Sequence, residues 1–135
     1  MRGIRSNARA LSRLLVATFF VAAGVNHFRD PGFYVSTIPP WLPWPEELVA
    51  LSGGAEMIGG IAAVVPLSRR AAGWGLIALL VAVFPANVNT AVNHAQFTER
   101  PVVDWLLWLR LPVQAALIAW VWWTLLGRER DTPSD

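Results

Sequence analysis

The sequence predicts an all-α integral membrane protein, a four-helix bundle with both termini on the cytoplasmic side. Three observations carry that reading. Of 135 residues, 55% are hydrophobic and only 15% charged, where a soluble domain carries about 25% charged residues. Four apolar stretches, 11–28, 48–66, 71–92 and 102–126, each approach the roughly 17–25 residues that a helix needs to cross the hydrocarbon core. The arginines gather at alternate ends of those stretches, which sets an orientation.

The first helix, 11–28, follows Arg2, Arg5, Arg9 and Arg13. A secretory signal peptide is the rival reading, with an apolar run from Leu14 and small residues around Val21-Ala22-Ala23. The run continues through Gly24 and Val25, and its removal would leave three helices with an outside amino terminus. A retained helix is therefore expected. The following loop, 29–47, holds five of the ten prolines, in Asp30-Pro31-Gly32 and Pro39-Pro40-Trp41-Leu42-Pro43-Trp44-Pro45. Proline removes backbone donors, so this segment cannot span the membrane. Phe33, Tyr34, Ile38, Trp41, Leu42 and Trp44 make it too apolar for a free loop. It reads either as a Pro/Trp-rich cap over the outer mouth of the bundle or as an interfacial anchor.

The second helix, 48–66, carries Ala55, Gly59 and Ala63 at four-residue spacing, and Ser52, Glu56 and Gly60 on a parallel stripe. Small residues so spaced let helix backbones approach closely in lipid, which predicts the central, most buried helix. Arg69 and Arg70 fill the tight turn to the third helix, 71–92. Pro85 there and Pro112 in the fourth helix, 102–126, free the carbonyls of Val81 and Trp108 and predict kinks. Residues 1–130 read as one domain and 131–135 as a disordered tail. Eight arginines flank the ends assigned to the cytoplasm, whereas Arg29 and Arg100 alone lie in the loops opposite. Trp41, Trp44, Trp105 and Trp108 fit an outer aromatic belt, and Trp74, Trp120, Trp122 and Trp123 an inner one. The corresponding location is a cell inner or plasma membrane.

Composition excludes several chemistries. With no cysteine there is no thiolate nucleophile, iron–sulfur cluster or cysteine-bound zinc. All eleven basic residues are arginine, so a Schiff-base lysine is absent as well. The arginines form no single patch, which argues against a nucleic-acid partner. Two histidines without cysteine make a poor metal set, and no metal site is expected.

Glu56 and Arg110 are the informative residues. A charge inside a membrane-length segment costs about 2.5–3.5 kcal/mol on insertion scales and persists when paired, wetted or functional. At 1.5 Å per residue both lie roughly 12 Å below the outer surface. Asn26 and His27 close the first helix, Asn87, Asn89, Asn93 and His94 fill the outer part of the third, and Gln114 lies one turn below Arg110. Every strongly polar intramembrane residue thus falls in the outer half, above an apolar inner half. Asn87, Thr90 and His94 share a helix face, as do Arg110 and Gln114, while Asn89 and Asn93 point elsewhere. The expected candidate ligand-binding site is Glu56, Asn87, Arg110 and Gln114, with Asn26, His27 and His94 above them. Such a set suits a ligand with a polar head and an apolar tail, a proton relay, or a mutually neutralised pair that only fixes helix register.

Ala23-Gly24-Val25-Asn26-His27-Phe28, Ile38-Pro39-Pro40-Trp41-Leu42-Pro43 and Ser52-Gly53-Gly54-Ala55-Glu56 together resemble the DoxX family of small bacterial membrane proteins. Val83-Phe84-Pro85-Ala86-Asn87 and Leu109-Arg110-Leu111-Pro112-Val113-Gln114 extend the likeness across about residues 20–120. The resemblance implies a four-helix membrane bundle. It also implies a link to thiosulfate:quinone oxidoreductase or to membrane assemblies that handle oxidative stress. Three functions compete on that basis. The first is a membrane subunit or partner of a redox assembly, with quinone as the candidate cofactor and Arg110 and Gln114 holding its carbonyl. The second is a non-enzymatic binder or transporter of lipid or another small apolar ligand with a polar head. The third is a scaffold whose Glu56–Arg110 pair is structural. A stand-alone enzyme is the least expected outcome, because no cofactor fingerprint accompanies the missing thiol.

Overall fold

A computed structural model describes residues 2–93 and 104–127, and those residues are helical almost throughout. Helix α1 spans Arg2–Arg29, α2 Pro31–Thr37, α3 Pro45–Val64, α4 Arg69–Ala82, α5 Phe84–Val92 and α6 Asp104–Val121. The last helix widens into a π-helical turn, Trp122–Leu126, closed by the Gly127 N–H on the Trp122 carbonyl at 2.8 Å. Among the described residues, four helical runs are long and apolar enough to cross a membrane: Ser6–Arg29, Pro45–Val64, Arg69–Val92 and Trp105–Leu126. Only 22–28% of the residues in their apolar windows are buried inside the bundle. Leu11, Leu15, Leu51, Ile58, Ile61 and Val81 instead point outward, as a hydrocarbon solvent allows. These are the features of a multi-pass membrane protein.

The segment between the first two spans is a helix. Asp30 caps α2 by accepting the Phe33 N–H at 3.3 Å, and Pro31 stands where its missing N–H costs nothing. The chain then turns through Pro39 and Pro40, with the Leu42 N–H on the Pro39 carbonyl at 3.0 Å. It enters α3 through Trp44, whose φ of 53° lies in the left-handed region. That conformation costs a non-glycine residue about 1–2 kcal/mol. Pro45 then opens the helix, and Glu46 and Glu47 complement the positive end of its dipole.

α3 packs between α1 and α4 and has the largest buried share of the four spans, 28% of its apolar window. Gly53 and Gly60 lie against α1 with no room for a side chain: a methyl on Gly60 would stand 2.9 Å from the Ala17 carbonyl oxygen. On another side of the helix, Gly59 admits Leu76 of α4. Val16, Phe20, Ala63, Ala72, Leu76, Leu80, Val121 and Leu125 form the apolar core. They fill the half of the bundle nearer the Arg69 turn, where the Ser68 hydroxyl donates to the Ala62 carbonyl at 3.0 Å.

That half is not wholly apolar, which corrects the sequence expectation. Ser12 and Thr124 share a buried hydrogen bond of 2.8 Å, and Trp120 Nε1 donates to Ser12 Oγ at 2.9 Å. The Arg9 guanidinium lies 5.6 Å above the Trp123 ring. A helical hydroxyl can satisfy itself on its own backbone, but Ser12 and Thr124 join α1 to the π turn instead. The prolines also act differently from one another. Pro85 divides the third span into α4 and α5 at Val83, whereas α6 continues through Pro112. His94 and the 131–135 tail lie outside the described residues.

Candidate functional site

The end of the bundle that carries α2 holds Glu56, His27, Arg110 and the amide side chains, in three separate groups. The first begins at the last turn of α1. His27 Nδ1 lies 2.9 Å from the Ala23 carbonyl oxygen, one turn back, so that nitrogen carries the ring hydrogen. The same nitrogen is 3.4 Å from Glu56 Oε2 on α3. Both side chains are about nine-tenths buried, and Glu56 Oε2 receives no hydrogen bond. The close α1–α3 approach through Gly24 and Gly53 brings the pair together: a methyl on Gly53 would meet His27 Cβ at 2.7 Å.

α2 lays two aromatic rings over this pair. Tyr34 stacks on His27 with centroids 3.8 Å apart and planes 23° from parallel. Its hydroxyl accepts a hydrogen bond of 2.8 Å from Asn26 Nδ2, and among the described residues its own hydrogen meets no acceptor. Phe33 meets Tyr34 edge-on at 5.4 Å, and the Arg110 guanidinium lies 5.6 Å from the Phe33 centroid. Glu56, His27, Tyr34, Phe33 and Arg110 thus form one continuous ladder across α3, α1, α2 and α6. The two charges expected to meet are joined by three rings, and among the described residues no carboxylate pairs with Arg110. A guanidinium over an aromatic face recovers about 0.5–2 kcal/mol.

The second group is an amide clamp. Asn87 Nδ2 donates to Gln114 Oε1 at 2.6 Å, and Gln114 Nε2 donates to the Leu80 carbonyl. Leu80 lies just before the α4–α5 break, so Gln114 satisfies a carbonyl that the break exposes. The expected meeting of Asn87 with Gln114 occurs, but neither joins Glu56 or Arg110. Depth alone had aligned Glu56 with Arg110, but the two side chains meet different neighbours.

In the third group, Asn93 Nδ2 donates to Asn89 Oδ1 at 2.6 Å, and buried Asn89 Nδ2 donates to the Thr37 carbonyl at 3.0 Å. Asn89 therefore fastens the end of α2 to α5, a role the sequence reading did not give it. Tyr34 and Phe33, which the sequence places in a segment reading as either a cap or an interfacial anchor, likewise belong to the ladder. The Asp30-Pro31 start signal of α2 could have found them, since it places residues 33 and 34 side by side on one helical turn.

A crevice of about 170 Å³ opens between the third and fourth spans, lined by Val81, Phe84, Leu111, Gln114, Ala115 and Ile118. It is apolar except for Gln114, so it is not the polar pocket expected from residue depths. Among the described residues, no three of the His, Asp and Glu side chains converge as a metal ligand set would.

Fold and site together define a multi-pass α-helical membrane protein with a buried carboxylate–imidazole pair under an aromatic strap. The chain belongs to the family described as Domain of unknown function (DUF8561), whose model matches residues 16–125. No curated protein and no solved structure matches the chain.

Proposed function

We propose that this chain is a DoxX-like membrane subunit or partner of a quinone-linked redox assembly, with the Glu56–His27–Tyr34 end as its working site. The observation that carries the reading is Glu56 Oε2, a buried carboxylate oxygen without a hydrogen bond, 3.4 Å from an imidazole nitrogen. Buried polar atoms left unpartnered in a native fold call for an explanation, and proton exchange or a ligand supplies one. The remaining donors suit a carbonyl head: the Tyr34 hydroxyl has a hydrogen to give, and Asn26 is exposed beside it. A quinone, when bound, supplies reversible two-electron, two-proton chemistry. This chain's part is to hold the head at Tyr34 and to keep one proton between His27 Nδ1 and Glu56 Oε2. Gln114, occupied by Asn87 and Leu80, is released from the carbonyl-holding role. In the proposed topology both termini are cytoplasmic in a cell inner or plasma membrane, and the α2 end faces outward, following the arginine bias.

The test is quenching of tryptophan emission by decylubiquinone in the purified full-length protein, with Tyr34→Phe and Glu56→Gln as variants. The reading expects saturable binding that both variants weaken by about tenfold, the scale of one hydrogen bond to a charged or carbonyl group. Absence of saturable binding, or binding indifferent to both substitutions, would sink it. A scaffold is the second reading, favoured by the self-satisfied Asn87–Gln114–Leu80 clamp. It gains if Glu56→Gln combined with Arg110→Met folds stably and fully complements a deletion.

A further inference from the structure

The crevice between the third and fourth spans has a chemistry distinct from that of the ladder. We infer that it is a lateral lipid site, taking one hydrocarbon chain of an anionic phospholipid whose phosphate is held by Arg110. Three observations converge on that occupant. The walls are Val81, Phe84, Leu111, Ala115 and Ile118, and Val81 and Phe84 are 58% and 46% exposed on the bundle surface. The crevice therefore opens to the surrounding hydrocarbon. Its roughly 170 Å³ falls below the ~300–1,000 Å³ of pockets that enclose a whole cofactor. A single chain matches that size.

Charge sets the head group. Arg110 precedes Leu111 and lies one helical turn before Gln114, at the end of the crevice nearer α2. The guanidinium is half-buried, rests on the Phe33 ring, and among the described residues meets no carboxylate. A cation at this depth without a counter-ion is costly, and a phosphate oxygen provides bidentate, charge-assisted bonds to a guanidinium. From Arg110 to Ile118 the helix rises about 12 Å, so a head at the former and a chain beside the latter lie along one stripe of α6. The crevice arises where Pro85 divides the third span, and Gln114, by closing the exposed Leu80 carbonyl, lets hydrocarbon approach that break.

The experiment is native mass spectrometry of the full-length protein released from nanodiscs containing equal amounts of phosphatidylglycerol and phosphatidylcholine. Wild type is expected to retain one phosphatidylglycerol per chain, preferred over phosphatidylcholine by about tenfold. Arg110→Gln should abolish the preference while leaving retention of a lipid chain. Ala115→Phe, at an exposed position on the crevice wall, should remove the retained lipid of either kind. Ala116→Phe, the next exposed residue outside the lining, serves as the matched bulk control and should retain it. Equal retention of the two lipids by wild type, or an undiminished preference in Arg110→Gln, would overturn the proposal. So would displacement of the lipid by millimolar inorganic phosphate, which would make Arg110 a free-anion site. None of these readouts depends on quinone binding.

Discussion

Replacing Gly24 by alanine places a methyl group 2.5 Å from the Gly53 carbonyl oxygen and 2.6 Å from Met57 Cγ. The methionine can swing aside, but the carbonyl belongs to a helix backbone. Ordinary contact begins at 3.4 Å, so α1 and α3 must part by about 0.9 Å at this level. Overpacking of this kind costs about 1–3 kcal/mol, offset by up to about 1 kcal/mol of helix propensity gained over glycine. Gly54→Ala, on the facing helix α3, is the matched control, because a methyl there meets nothing within 4 Å and keeps only the propensity gain. The two variants should therefore differ by about 1–3 kcal/mol in the reversible unfolding of the protein by denaturing detergent, followed by tryptophan emission. The separation also carries His27, less than a turn along α1, from 3.4 Å to beyond ion-pair reach of Glu56. Gly24→Ala should accordingly weaken any ligand binding that depends on the pair. Equal stability of the two variants would refute the claim that glycine contact sets the α1–α3 distance.

Gln114→Leu strands the Leu80 carbonyl and the Asn87 amide. It should cost about 1–3 kcal/mol in the same unfolding assay, more than Asn87→Leu, which strands a single partner. Asn89→Leu removes the donor to the Thr37 carbonyl, so backbone hydrogen exchange across Pro31–Thr37 should accelerate while α3 stays protected. Ser12→Ala leaves Trp120 Nε1 and Thr124 without their shared partner; a loss of about 1 kcal/mol is expected, and Ser12→Thr should preserve most of the stability.

How much of this was legible in the sequence depends on the kind of information each feature needs. The four spans are set by local hydropathy, and 11–28, 48–66, 71–92 and 102–126 correspond to Ser6–Arg29, Pro45–Val64, Arg69–Val92 and Trp105–Leu126. Small-residue spacing likewise identified α3 as a helix of close backbone approach, which Gly53 and Gly60 make to α1, since such approach is a property of one helix face. The polar network was only half legible. Rise per residue gives depth, and depth put Glu56 level with Arg110, with Gln114 one turn below. Which neighbour each side chain faces depends on the rotation of every helix in the bundle, which one helix's spacing does not specify. Glu56 consequently met His27, and Arg110 met Phe33. The α2 strap was locally encoded in Asp30-Pro31, but its prolines drew attention to what it could not be. The π turn at Trp122–Leu126 had no local signal; its Leu125 and Leu126 pack on Gly73 of α4.

Glu56 pairs with His27, and Arg110 is reached only through the Tyr34 and Phe33 rings. A double-mutant cycle on unfolding free energy tests it most directly, using His27→Gln, Glu56→Gln and Arg110→Gln singly and in pairs. A coupling of about 0.5–3 kcal/mol is expected for His27 with Glu56, and additivity within about 0.5 kcal/mol for Glu56 with Arg110. Strong coupling between Glu56 and Arg110 with none between Glu56 and His27 would contradict it.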